Sequence, residues 1–166
     1  CVIACLSRTE AGQPNVILIF ADDQGYGDLS CFGSETIKTP HIDRLAKEGR
    51  KFTNFMVASP VCTPSRAALM TGCYPKRVGM HQHVLFPTSR KGLNPNEHTI
   101  ADHLKGQGYA TACFGKWHLG YQPEVLPQAQ GFDMYFGIPY SNDMNHPDNK
   151  GKPKSGPGGM DELWAD

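Results

Sequence analysis

The chain has 166 residues, with 16 Lys and Arg against 16 Asp and Glu, and so carries no formal net charge. That balance argues against a general nucleic-acid binder, which needs a basic face to displace counterions, and no apolar run approaches the ~18 residues that cross a bilayer as a helix. At 39% hydrophobic and 19% charged residues the chain is neither disordered nor fibrous, and its 18 Gly and 13 Pro predict many turns between short elements of one domain, or of a piece of one.

In chain order, residues 1–13 come first and read as a leader remnant and linker. The stretch 1–6 is apolar and starts at Cys1 rather than Met, as the tail of an export signal would. Val2-Ile3-Ala4-Cys5 also has the form of a lipobox, which would make Cys5 a lipidated residue. Both readings predict an exported protein, whether periplasmic, secreted or lysosomal in type. Residues 15–21 (Asn-Val-Ile-Leu-Ile-Phe-Ala) form a continuous apolar run, the pattern of a strand buried on both faces of a parallel sheet. Thr39 as cap, Pro40 at the first helical position and Gly49 as stop predict a helix with Ile42, Leu45 and Ala46 on one face. Residues 51–57 read as a second strand. Thr63-Pro64 opens a short helix ending near Gly72, residues 99–105 form another, and residues 109–114 form a strand. Alternating strands and helices predict an α/β fold with a mostly parallel sheet flanked by helices. Residues 149–160, rich in Lys, Gly and Pro, read as an exposed loop, so residues 14–166 are expected to be the N-terminal part of a larger catalytic domain.

Ligands of open parallel sheets bind beyond the carboxyl ends of the strands. The first run leads straight into Asp22-Asp23, whose oxygens suit a hard ion such as Ca²⁺ or Mg²⁺, with Gly25 and Gly27 allowing a sharp turn. Alone, the pair favours an ordinary Asp/Gly turn. After the strand at 109–114 come Lys116 and His118, which strand geometry places on one face, with Trp117 facing away. The lysine suits an oxyanion and the histidine suits proton exchange, yet alone this pair favours a polar edge beside a packing tryptophan. Cys62-Thr63-Pro64-Ser65-Arg66 says more. Cys62 sits just before a helix N-terminus, which favours anions and thiolates. Arg66 lies in the first turn, where a cation opposes the helix dipole. A structural cysteine beside a capped helix explains the first but not the second. The six cysteines (1, 5, 31, 62, 73 and 113) contain no C-x-x-C pair, which excludes a zinc ribbon or a thioredoxin-type site.

Cys62-Thr63-Pro64-Ser65-Arg66 followed by Ala67-Ala68-Leu69-Met70-Thr71-Gly72 resembles the signature of type I sulfatases. Further matching segments follow the same order: Phe20-Ala21-Asp22-Asp23-Gln24-Gly25-Tyr26-Gly27-Asp28, Gly115-Lys116-Trp117-His118-Leu119-Gly120, Gly131-Phe132-Asp133 and Gly137-Ile138-Pro139-Tyr140-Ser141. The arylsulfatase and galactosamine-6-sulfatase branches are the most similar in pattern, over about residues 14–145. The resemblance implies an alkaline-phosphatase-like α/β sandwich, incomplete here at its C-terminal side.

The same resemblance implies the site. A formylglycine-generating enzyme would oxidise Cys62 to formylglycine (3-oxoalanine). Asp22, Asp23 and an oxygen on residue 62 would bind Ca²⁺, with Mg²⁺ as an alternative. The hydrated aldehyde would attack the sulfur of a sulfated carbohydrate or aryl sulfate, and the covalent sulfate hemiacetal would then collapse with help from His118. Arg66 and Lys116 would hold residue 62 and the charged oxygens, while Lys116, His118 and Ser141 would contact substrate. Asn142 stands where close relatives often carry His. Further metal ligands and a leaving-group His and Lys of the family lie beyond residue 166, so these 166 residues alone are expected to be inactive or nearly so. Two other readings stay open: a phosphate or phosphonate ester hydrolase of the same superfamily, and an ion-binding module with an unconverted thiol at Cys62.

Overall fold

A computed structural model of the chain describes residues 13–141 and Met144, which divide into two compact units meeting at Thr53 and Asn54. The leader-like stretch, Cys5, Asn142 and the loop at 149–160 lie outside the described residues.

In the first unit, the helix expected after Thr39 forms as α1, Pro40–Glu48, with Pro at its start and Gly49 closing it through a backbone bond to the Leu45 carbonyl. What ties it down is a small polar cluster. Asp43 accepts from the hydroxyls of Ser30 at 2.7 Å and Thr39 at 2.9 Å, and the Thr39 N–H donates to Ser30 Oγ. The Ser30 bond, ahead of the others, holds the Asp43 carboxyl below its ordinary value. Two short 3₁₀ turns, Tyr26–Asp28 and Ser30–Phe32, precede α1, and Tyr26 meets Phe32 edge-to-face at 4.8 Å.

The apolar run at 15–21 corrects its expectation. It is extended but pairs with no strand among the described residues, and Ile17 and Ile19 are 85% and 82% exposed. Residues 51–57 likewise form no strand. A continuous apolar run reports that a segment prefers burial, but a ladder also needs a neighbour, and that depends on distant residues.

In the second unit, α2 spans Cys62–Thr71 and α3 spans Ile100–Gly106. Gly72 ends α2 in the left-handed conformation (φ 66°) that costs a glycine little. Thr99 caps α3 in a capping box with Asp102 and also donates to the Gln130 carbonyl at 2.7 Å. The strand expected at 109–114 forms as β1, Ala112–Lys116, and a second strand that the sequence reading did not single out, β2, Met134–Ile138, lies parallel to it. The register pairs Ala112 with Met134 and Lys116 with Ile138. Gly115 faces Gly137, and a side chain on Gly137 would run into the Gly115 carbonyl oxygen, so the close approach of the two strands requires glycine there. Ala67, Val78, Met80, Leu85, Leu93, Trp117, Leu119 and Tyr140 form one core that draws together α2, the loop after it and the ends of both strands.

Candidate active site

The parallel register brings the carboxyl ends of β1 and β2 side by side, and the pairing continues past both strands. The N–H of Trp117 donates to the Ile138 carbonyl and that of His118 to the Pro139 carbonyl, each at 2.9 Å. Segment 116–118 is thereby fixed, and the opening turn of α2 grips it at three points. Lys116 Nζ donates to Cys62 Sγ at 3.2 Å. Arg66 Nη1 donates to the Lys116 carbonyl at 2.6 Å. Thr63 Oγ1 donates to the His118 carbonyl at 2.9 Å. Cys62 and Arg66, four apart, share one face of the helix, which is why both reach the same strand end.

Cys62 is the first residue of α2 rather than the one before it, and the preceding Val61 offers no side-chain cap. The helix thus begins with backbone donors beside a thiol, an ammonium and a guanidinium, a setting that favours anions. Arg66 opposes the dipole, as the sequence suggested, and the Lys116 carbonyl offsets that cost with a short charge-assisted bond. Cys31, Cys62, Cys73 and Cys113 are all thiols, with no disulfide among the described residues. Burial pushes the Cys113 thiol up to about 11, partly offset by Arg66, and burial also raises Tyr135 beside it. Cys113, on β1, packs partly buried against the core.

His118 corrects the expectation drawn from strand alternation. Its φ of 61° takes it out of the strand, and both it and Trp117 are buried. Its Nε2 lies 2.8 Å from the Leu85 carbonyl, and Tyr140 packs edge-to-face on the ring at 5.8 Å. Ser141, half-buried, follows Tyr140 directly. Sequence reasoning treated Thr63 only as a helix starter and passed over Leu85, because their bonds join residues 22 and 55 positions apart. Along the outside of α2 runs a shallow cleft of about 400 Å³ lined by Ser59, Pro64, Tyr74, Lys76 and His81. His83 turns instead to the neighbouring Val84 carbonyl.

Asp22 and Asp23 belong to the first unit, where both are exposed at the bend that follows the extended run. Asp23 has a left-handed backbone (φ 53°), which Asp tolerates better than most residues. Two adjacent carboxylates fit a hard divalent cation by donor type and leave most of a shell of about six to eight oxygens to other donors. Among the described residues there is no group of three or more His, Cys, Asp or Glu side chains placed to hold a metal. No helix among them is long and apolar enough to cross a membrane.

A family profile described as sulfatase matches residues 14–166. Human arylsulfatase A is 54% identical over 136 residues, covering 81% of this chain and 27% of that protein. Rat steryl-sulfatase is 51% identical over 149 residues, covering 83% of this chain and 26% of that protein. The solved structure of Ps i-CgsB in complex with k-i-k-neocarrahexaose aligns with a TM-score of 0.76 at 43% identity, over 78% of this chain and 29% of that one. The fold is thus the expected alkaline-phosphatase-like α/β architecture, with a parallel sheet flanked by helices. The chain spans about a quarter of the length of the curated relatives it matches.

Proposed function

The chain belongs to the sulfatase family, and from that premise we propose that the start of α2 and the end of β1 form the nucleophile site of a sulfuric ester hydrolase. The observation that carries this reading is the contact of Lys116 Nζ with Cys62 Sγ while Arg66 holds the Lys116 carbonyl. A cation is thereby aimed at the one side chain that, once oxidised, becomes the attacking group.

Formylglycine at position 62 would supply a hydrated aldehyde, an oxygen nucleophile whose covalent adduct carries its own route of release, which splits one hard step into two easier ones. Lys116 and Arg66 hold the negative charge that builds on the sulfuryl oxygens. A carbonyl only accepts, so His118 Nε2 donates to Leu85 and Nδ1 is the ring atom that exchanges protons. Ser141 is assigned to sulfate contact. Asp22 and Asp23 are assigned to a divalent cation, Ca²⁺ or Mg²⁺, which when bound adds Lewis-acid stabilisation of developing charge.

The substrate class is a sulfated carbohydrate or aryl sulfate. Ps i-CgsB was solved in complex with k-i-k-neocarrahexaose, and the Tyr74, Lys76 and His81 cleft offers aromatic and cationic groups suited to a sugar sulfate. Maturation requires a formylglycine-generating enzyme, and export is proposed for the mature protein. Mass spectrometry of peptide 52–66 tests the reading. Coexpression with the converting enzyme should replace the thiol of residue 62 with a carbonyl and abolish its alkylation, and the product of the full reading frame should cleave an aryl sulfate faster than the matched phosphate. A fully alkylatable thiol under those conditions would overturn the proposal.

A further inference from the structure

A closed ring of hydrogen bonds links the residue after the nucleophile to the histidine. Thr63, fully buried at the second position of α2, donates its hydroxyl to the His118 carbonyl at 2.9 Å and accepts the Leu85 N–H at 3.0 Å. Leu85 turns its own carbonyl to His118 Nε2 at 2.8 Å. One hydroxyl thus fixes both the backbone of His118 and the loop carrying the carbonyl that its imidazole meets. The His118 backbone needs such support. Its left-handed φ is unfavourable for a residue with a β-carbon, and its own N–H bond to Pro139 and this bond from Thr63 to its carbonyl both help to hold it.

We propose that Thr63 is a positioning residue: it sets the ring orientation and tautomer of His118, keeping hydrogen on Nε2 and leaving Nδ1 to handle the proton. The proposal deepens the sulfatase reading of Cys62 and His118 and rests on it. The hydroxyl is suited to the task because it donates and accepts at once, whereas an isosteric valine would leave the Leu85 N–H and the His118 carbonyl without their partner in a buried setting.

The test uses Thr63→Val and Thr63→Ser in the product of the full reading frame, made with the converting enzyme and with conversion of residue 62 measured first on peptide 52–66. For converted protein, Thr63→Val should lower kcat on an aryl sulfate by on the order of tenfold to a hundredfold, the range typical of removing a partner that orients a working histidine, with KM little changed. In histidine-selective ¹⁵N spectra, His118 should pass from a single Nε2–H tautomer to a mixture. Thr63→Ser should restore both readouts. Converted Thr63→Val with unchanged kcat and tautomer overturns the proposal, and so does a serine variant as impaired as the valine one. If Thr63→Val does not fold, Thr63→Cys replaces it; failure of both beside a well-folded Thr63→Ser would assign Thr63 to stability alone and overturn the proposal. A wild-type protein with an unconverted thiol defeats the sulfatase reading instead, and the tautomer spectra still decide the role of Thr63.

Discussion

Arg66 joins charge to geometry. Its guanidinium sits one turn above Cys62 and binds the carbonyl of Lys116, the residue whose ammonium reaches Cys62. A lysine at 66 keeps the charge but lacks the planar, multiply donating head that meets a carbonyl while presenting further N–H groups to an anion. Arg66→Lys should therefore lower kcat on an aryl sulfate by about a hundredfold, as removal of one preorganised donor typically does. Conversion of residue 62 should stay intact, and thermal stability should change little. Steady-state kinetics beside peptide mass spectrometry would check this, and an unchanged kcat would remove Arg66 from the charge-stabilising set. The lone arginine in a first helical turn was legible in the sequence because it broke a local rule. The Thr63 ring was not, since nothing local signals a hydroxyl spent on residues so far along the chain.

Among elements, the start of the β1–β2 pair is latched by Asp133. Its carboxylate accepts from the Thr111 N–H at 2.8 Å and the Thr111 hydroxyl at 3.1 Å and pairs with Lys105 of α3 at 2.6 Å. The Lys105 bond first, then those from Thr111, lower its pKa from 3.8 to about 2. A carboxylate whose folded pKa is depressed stabilises the fold above its unfolded value and loses that contribution as pH falls toward the folded one. Asp133→Asn should thus lower the melting temperature at near-neutral pH, with the gap closing between about pH 4 and pH 2. Melting curves across that range would check it, and a pH-independent gap would disprove the latch. Added salt should shrink the effect only in part, because the pair is half-exposed while the Thr111 bonds are short-range. At this scale the sequence spoke clearly wherever a cap was local. Thr39-Pro40, Thr99 and Gly72 marked helix ends that the structure keeps within a residue. It was less clear for strands: β1 starts later than its apolar run suggested, and β2 follows from pairing rather than from a pattern of its own.

For the whole molecule, the exposed apolar side chains are the notable property. Val16, Ile17, Leu18 and Ile19 in the first unit, and Phe114, Met134 and Phe136 in the second, are each more than half exposed. Water-facing apolar surface on that scale favours association. The 166-residue polypeptide should therefore bind a hydrophobic dye and sediment above monomer mass, and paired Ile17→Lys and Ile19→Lys substitutions should reduce both. Sedimentation velocity with dye titration would measure this, and a clean monomer without dye enhancement would contradict it. The run at 15–21 shows what hydropathy encodes: the sequence expresses a demand for burial, but the partner that meets the demand is not written in the same stretch.

The left-handed backbone at His118 also bears on how this residue should be probed by mutagenesis. Alanine there would remove an imidazole and also put a poorly tolerated residue in a conformation that asparagine adopts several times more readily. Lost turnover in an alanine variant would mix missing chemistry with a shifted main chain. Asparagine at 118 lacks the imidazole but tolerates the left-handed backbone, so comparing the alanine and asparagine variants helps to separate missing chemistry from a shifted main chain.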